Sequence, residues 1–248
     1  MGWRERTEEW RREALGWAAP RSCACCGARS SGALCVPCEE GLVEVGGDAC
    51  VRCGLPRDAW EGAPEDALSS CPGCVVRPPS FDSAWAPWRH EETTRALITR
   101  TKYRGDALGA AELCEIAGAA LVERVRELDE REGGVTLTAA PMHRSSLRRR
   151  GLNLPAFIAW RLRRSWGVPL EEGMIWRSRR ARRQARLGEL ARRENVRGSV
   201  TAREGCPPVV VLLDDVITTG ATANEMARAL RDAGAQRVHV LALARACA

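Results

Sequence analysis

No stretch of about 18 consecutive apolar residues occurs in this sequence, so hydropathy offers no membrane-spanning helix. The N-terminus, Met-Gly-Trp-Arg-Glu-Arg, soon alternates charges. It lacks the apolar run and small-residue cleavage site of a secretory signal, and a cytoplasmic protein is expected. There is no Gly-x-x-x-x-Gly-Lys run, which excludes a Walker A loop, and no Gly-x-Gly-x-x-Gly, which excludes a dinucleotide fingerprint. Lysine is nearly absent: Lys102 stands alone among 38 basic residues. No internal repeat is found beyond pairs of cysteines.

What is present is unevenly distributed. The 248 residues suit one domain of ordinary size plus a small module. The net charge of +6 combines a block at 141–203, with 17 Arg and four acids, and a remainder at −7 (+6 − 13). Such a block either binds polyanions (phosphates, pyrophosphate, nucleic acid) or forms a solvated arginine-rich surface. Nine of the twelve cysteines lie between Cys23 and Cys74. That clustering points to a separate cysteine-built module.

Along the chain, residues 1–20 read as an amphipathic helix with Trp3, Trp10 and Trp17 on one face, closed by Pro20. Residues 21–80 are rich in Cys, Gly, Pro and Ser and cannot build a large core alone. Pro78-Pro79 marks a linker, and residues 81–248 form the main domain. There, helices are expected at Glu91–Lys102, Ala107–Glu132, Asn153–Trp166, the basic Ala181–Asn195 and Thr222–Ala233. Strands are expected at Val135–Ala140, Val209–Leu213 and Arg237–Leu243. The alternation argues for an α/β fold with a mainly parallel sheet.

The cysteines pair as Cys23-x-x-Cys26, Cys35-x-x-Cys38, Cys50-x-x-Cys53 and Cys71-x-x-Cys74. A two-residue spacing lets both thiolates of a knuckle reach one tetrahedral metal at about 2.3 Å, and two knuckles complete a site. Four knuckles suffice for two structural Zn2+ ions. The simplest partition pairs neighbours, but spacing leaves an interleaved one open. A disulfide scaffold would need an oxidising compartment, and iron–sulfur binding lacks the ferredoxin spacing. Cys25 competes with Cys26 for the first knuckle. Cys114, Cys206 and Cys247 stand apart as packing residues.

The apolar run Val209–Leu213 fits a strand buried on both faces. It delivers Asp214 and Asp215 to its C-terminal end, where open α/β sheets bind ligands. Thr218, Thr219, Gly220, Ala221 and Thr222 then lead into a helix. A tight loop of this composition turns backbone N–H groups toward a phosphate, assisted by the helix N-terminus and threonine hydroxyls. Two carboxylates beside a phosphate need neutral hydroxyl donors, which ribose supplies, and Mg2+ would offset their charge. The segment therefore reads as a ribose 5-phosphate cradle, rather than a capping turn with solvated acids.

This segment resembles the phosphoribosyl pyrophosphate (PRPP) signature of type I phosphoribosyltransferases. The whole chain, from about Arg11 to Ala248, resembles the ComF family, which joins a cysteine-rich zinc-ribbon module to a type I phosphoribosyltransferase-like domain. The matching motifs include Cys50-x-x-Cys53-Gly54-Leu55-Pro56, Lys102-Tyr103-x-Gly105-Asp106, Pro141-Met142, Arg150-Gly151-x-Asn153, Arg177-x-Arg179, Gln184, Leu187, Arg192 and Asn195. Departures are Leu152-Asn153-Leu154 where Phe-Asn-Gln is usual, Arg183 for Thr, and Ala140 for Val. The resemblance implies that Asp214 and Asp215 hold the ribose hydroxyls and form the catalytic pair. It assigns the 5-phosphate to Thr218–Thr222 and pyrophosphate to the loop of Pro141, Met142, His143 and Arg144, with Lys102 as a further contact. Arg177–Asn195 would be a hood whose arginines close over pyrophosphate.

Three functions follow. One is a PRPP-binding protein of DNA uptake or recombination that meets single-stranded DNA and DNA-processing proteins. Another is an enzyme of nucleotide metabolism transferring ribose 5-phosphate to a nitrogen acceptor. The third is a docking protein with a relic site. The oligomeric state is open, a homo-oligomer included.

Overall fold

The computed structural model describes residues 22–62, 69–104, 107–177 and 198–247. The expected helix at 1–20 with its three tryptophans, the Gly105-Asp106 pair and the basic stretch from Ser178 to Arg197 lie outside the described residues. The cysteine-rich part holds only short elements, helix α1 (Val36–Glu40), a 3-10 turn (Arg57–Ala59) and helix α2 (Pro72–Val76). With so little apolar surface to bury, its order has to come from its sulfurs and from what it packs against.

The main sheet follows from runs of β-branched and aliphatic residues. It comprises β1 (Ser83–Trp85), β2 (Trp88–Arg89), β3 (Thr136–Ala139), β6 (Val209–Ile217) and β7 (Arg237–Arg245). Their order is β1-β7-β6-β3, β2 also lies on β7, and every pairing is parallel. One face is covered by α3 (Glu92–Arg104), the 26-residue α4 (Ala107–Glu132) and α6 (Leu154–Trp166). The other carries α7 (Ala221–Asp232) and an antiparallel pair, β4 (Ile175–Arg177) and β5 (Val200–Ala202). A short basic helix, α5 (Arg144–Arg150), follows β3.

Strand alternation divides β6 between the two cores. Val211 and Leu213 pack toward the α3/α4/α6 layer, while Val210 and Leu212 pack toward α7, all at most 1% exposed. Each such side chain contributes roughly 1.5–3 kcal/mol on burial. The continuous apolar run is thus explained, and the mainly parallel α/β architecture stands as expected. Beyond Leu213 the alternation inverts without a change of register: Val216 joins the first core and Ile217 the second. Asp214 and Asp215 sit at that inversion.

The expected boundaries need four corrections. β6 does not stop at Leu213 but runs to Ile217, because Asp214, Val216 and Ile217 keep partners in β7. β7 likewise extends to Arg245. Arg144 opens α5 rather than closing a loop, with His143 as its N-cap. The strand expected at Val135–Ala140 is confined to Thr136–Ala139. The open edge of β3 is capped locally: Leu137 donates to the Pro169 carbonyl at 2.7 Å and accepts from Glu171 at 3.0 Å.

The cysteine-rich part is seated on this domain. Its first half meets α3, whose Arg100 guanidinium donates to the Cys25 carbonyl at 3.2 Å. Its second half lies on the β1/β2 edge. Arg89 forks onto Asp58 at 2.6 and 2.9 Å, and its backbone N–H donates to the Val43 carbonyl at 2.7 Å. Gly54 has φ +66°, and a Cβ there would stand 2.8 Å from the Ala84 carbonyl oxygen. A side chain at position 54 would push the Cys50–Cys53 knuckle off β1.

Candidate functional site

The loop Thr218–Gly220 connects β6 to α7 at the C-terminal edge of the sheet. Gly220 is the N-cap of α7, with φ +73° and no side-chain capping bond. Its lack of a Cβ serves backbone conformation rather than space, since a Cβ would meet only the Phe81 ring at 3.8 Å. The first turn of α7 carries no acid. Ala221 N–H reaches the Thr219 hydroxyl at a long 3.4 Å, and the first intrahelical bond runs from Asn224 N–H to the Gly220 carbonyl. The helix N-terminus thus keeps positive potential and donors facing outward, as anion binding requires.

The two acids differ in surroundings. The Asp215 carboxylate pairs with Lys102 Nζ at 2.8 Å, with side chains 18% and 19% exposed. Lys102 reaches it from α3, so the lone lysine stands at the acidic end of the site. Asp214 Oδ1 accepts the Asp215 backbone N–H at 2.8 Å. Burial, and then the neighbouring Asp215 charge, push the Asp214 carboxyl up to about 7 against the pull of Lys102 and Arg177. His90 also borders this cluster, and burial followed by the Lys102 and Arg95 charges lowers its pKa.

Opposite lies the segment Pro141–Arg144. His143 caps α5, its Nδ1 taking the Ser145 N–H at 3.2 Å and facing the Ser145 hydroxyl at 2.8 Å. Arg177 Nε donates to the Pro141 carbonyl at 3.0 Å, and Asn153 Nδ2 to the Ala140 carbonyl at 3.1 Å. Strand β4 and helix α6 therefore both brace this loop. Arg177 lies at the base of the expected hood, whose remainder is outside the described residues. On the far side of α7, the buried Glu225 accepts the Gly198 N–H at 2.5 Å and pairs with Arg228 at 2.8 Å.

His90, Glu225 and Arg245 were not singled out by sequence reasoning. None belongs to a recognisable motif, and each has at least one partner distant in the chain. Arg245 is 6% exposed and donates from Nη1 to the carbonyls of Ile217 at 3.3 Å, Thr218 at 2.5 Å and Ala246. The carbonyl side of the Thr218–Gly220 loop thereby rests on a buried guanidinium.

The cysteines gather into two groups, Cys23/Cys26/Cys35/Cys38 and Cys50/Cys53/Cys71/Cys74, the sulfurs of each within 4.8 Å of one another. A tetrahedron with metal–sulfur bonds of about 2.3 Å spaces sulfurs at about 3.8 Å. The Cys26–Cys35 and Cys53–Cys71 separations of 3.6 Å fit that shape and are too long for disulfides. The neighbour partition is the one the fold adopts, and two four-cysteine groups fit structural zinc. Cys25 is not among them: its sulfur turns to the Thr93 carbonyl, 3.9 Å away. Within the first group the cysteines are unequal: burial raises the Cys23 pKa but the N–H groups of Cys26, Cys35 and Cys25 lower it, whereas Cys35 and Cys38 are raised. Cys114 and Cys206 are buried packing residues, and burial raises both pKa values, that of Cys114 to about 11.

No family model matches the chain. It is similar to Competence protein F of Haemophilus influenzae, 28% identical over a 219-residue alignment that covers 86% of this chain and 90% of that protein. The ComF resemblance carried by the motifs thus extends over most of the chain, and the cysteine groups fit its zinc module. Among solved structures, glutamine phosphoribosylpyrophosphate amidotransferase from B. subtilis aligns at 24% identity and a TM-score of 0.27. That alignment covers 43% of this chain and 21% of the amidotransferase, too loose an overlap to bear on function.

Two outcomes are expected. Metal analysis of purified protein should find about two zinc per chain, falling to about one in Cys74→Ser, as four thiolates per ion require; mapped disulfides without metal would contradict this. Asp214 keeps its proton in the folded state at pH values where the unfolded carboxyl, near 3.8, has lost it. Stability should therefore fall as pH rises from about 4 through about 7, and Asp214→Asn should flatten that dependence. At pH 8 the variant should melt higher than wild type, by about 2–4 °C per kcal/mol of relieved burial. Parallel melting curves for the two proteins from pH 5 to pH 8 would refute the assignment.

Proposed function

Starting from this likeness to a competence protein, we propose that the chain binds PRPP, with Mg2+, at Asp214–Thr222 and serves DNA uptake or recombination. The observation that carries the ligand is the α7 N-terminus, uncapped by any side chain of its N-cap residue and free of acids in its first turn, directly after two carboxylates at the sheet's C-terminal edge. The 5-phosphate takes the loop and helix N–H groups, and the ribose hydroxyls donate to Asp214 and Asp215. Mg2+ bound with the pyrophosphate offsets the charge that Lys102 alone does not balance.

DNA contact is supported by a second feature. Arg144, Arg148 and Arg149 on α5, and Arg161, Arg163 and Arg164 on α6, are exposed. Beside them Trp160 is 41% exposed, with the Arg164 guanidinium 5.5 Å from its ring centroid. Cationic groups around an exposed indole suit single-stranded DNA, whose phosphates pair with arginine and whose bases stack on aromatic rings. An enzymatic reading shares the PRPP site: a carboxyl titrating near neutrality beside the ribose is suited to proton transfer when a nitrogen acceptor displaces pyrophosphate.

Saturating PRPP and Mg2+ at about 100 times Kd should stabilise the native state by about 2.7 kcal/mol, raising the melting temperature by about 5–10 °C. Asp214→Asn/Asp215→Asn should abolish the shift. An unshifted wild type would mean a relic site, and pyrophosphate release on adding candidate bases would favour the enzyme. For DNA, anisotropy titrations of a labelled single strand should weaken steeply with salt, log K falling by about 0.7 per phosphate contact per log unit of salt. Arg163→Glu/Arg164→Glu should reduce that slope; a flat salt response would remove the DNA role.

A further inference from the structure

We propose that Arg245 couples the second cysteine cluster to the 5-phosphate loop, so that metal at Cys50/Cys53/Cys71/Cys74 sets the loop's affinity for phosphorylated ribose. The coupling to ligand rests on the proposed reading of that loop, whereas the coupling to loop structure does not. Arg245 is the last residue of β7, in register with Ile217 at the end of β6 and Arg89 at the end of β2. Its guanidinium lies between two parts of the protein that share no sequence neighbourhood. On one side Nη1 donates to the carbonyls of Ile217, Thr218 and Ala246. On the other, Nε donates to the Cys53 carbonyl at 2.9 Å and Nη2 stands 4.0 Å from Cys53 Sγ.

A buried guanidinium is costly unless it is both hydrogen-bonded and charge-compensated. Carbonyls supply the bonds, but among the described residues no carboxylate is recorded in an ion pair with Arg245. Four thiolates around one Zn2+ carry a formal charge of about −2, and Cys53 brings that charge to the guanidinium. The metal-loaded cluster is therefore the counter-ion that holds Arg245 in place, and Arg245 in turn holds the carbonyls that shape the loop. Seating of the Cys50–Gly54 knuckle against the Ala84 carbonyl fixes the distance between the two ends. Among the described residues no such bond joins the first cluster to the loop; the neighbouring Cys25 contacts Thr93 and Arg100 on α3 instead.

Arg245 is thus a positioning residue, and a double-mutant cycle tests it. Ribose 5-phosphate binding is measured by calorimetry, and amide exchange is followed over 217–224 and, as an internal reference, over 141–144. Emptying the second cluster with Cys74→Ser should weaken binding by about tenfold, within the usual range for coupled sites. It should also speed exchange over 217–224 while sparing 141–144. Arg245→Met should do the same while retaining about two zinc per chain, and combining it with Cys74→Ser should add nothing further. An arginine that only stabilised the fold would speed exchange in both segments and leave the effects of the two substitutions additive. Either result overturns the coupling, as does a loop indifferent to Arg245→Met. If wild type fails to bind ribose 5-phosphate but exchange over 217–224 responds to the cluster as described, the coupling stands and the ligand reading falls.

Discussion

A strand buried on both faces can carry charge only where its packing against the two layers is interrupted. β6 obeys this constraint, and the candidate site follows from it. Val210–Leu213 are closed off by helices on one side and by α7 with the β4/β5 pair on the other. The next two residues are the acids, at the point where the alternation of β6 inverts. Backbone pairing with β7 continues past them to Ile217, so they are held by a ladder rather than carried on a loose loop. The Thr-rich turn begins only after that ladder ends. A rigid pair of acceptors followed by a short turn of donors is the arrangement a sugar phosphate needs, because its hydroxyls and its phosphate ask for opposite partners.

The same edge explains why the cysteine-rich part is more than an appendage. A segment with three short helical elements and almost no apolar core would gain order from metal held by its two four-cysteine groups. It also covers the β1/β2 edge of a parallel sheet, a row of backbone groups otherwise open to pairing. Arg89 binds Asp58 with both guanidinium ends, Val45 donates to the Pro87 carbonyl at 3.0 Å, and Gly54 lies against Ala84. These contacts run from 43–58 to 84–89, bringing the second cysteine group into the same packed body as the candidate site.

Much of this was legible because it is local. The Val209–Leu213 run, the acidic pair, the Thr-Thr-Gly-x-Thr turn and the two-residue cysteine spacings each report a neighbourhood of a few residues. The 26-residue α4 was bounded correctly at both ends by its composition. The first two strands escaped notice because Ser83–Trp85 and Trp88–Arg89 are too short to show a period and are split by Pro87. α5 is made of arginines and serines with a single leucine, so no apolar stripe announced it. The extension of β6 was invisible for a different reason: two aspartates argue against a strand by propensity, yet pairing with β7 overrides propensity. Arg245 and His90 acquire meaning only from partners far away in the chain, Cys53 for the first and Asp215 for the second.

Charge balance connects the remaining parts. Two adjacent carboxylates repel each other, and the fold answers them unequally. Lys102 neutralises Asp215 directly, while Asp214 is left half-buried and, among the described residues, without a cation partner of its own, with a carboxyl that holds its proton to about pH 7. A protonated Asp214 can donate a hydrogen bond as well as accept one, whereas an ionised Asp214 only accepts. A ribose hydroxyl, both donor and acceptor, is compatible with either form, but a second anion beside an ionised Asp214 is not without a cation. The acids therefore favour a ligand with neutral hydroxyls at their end and its phosphate displaced toward α7, where the helix N-terminus supplies the positive potential. A ligand with phosphate at both ends adds charge on the side of Pro141–Arg144, where Arg177 is already turned inward to a carbonyl. Such a ligand is best accommodated if it arrives with its own cation.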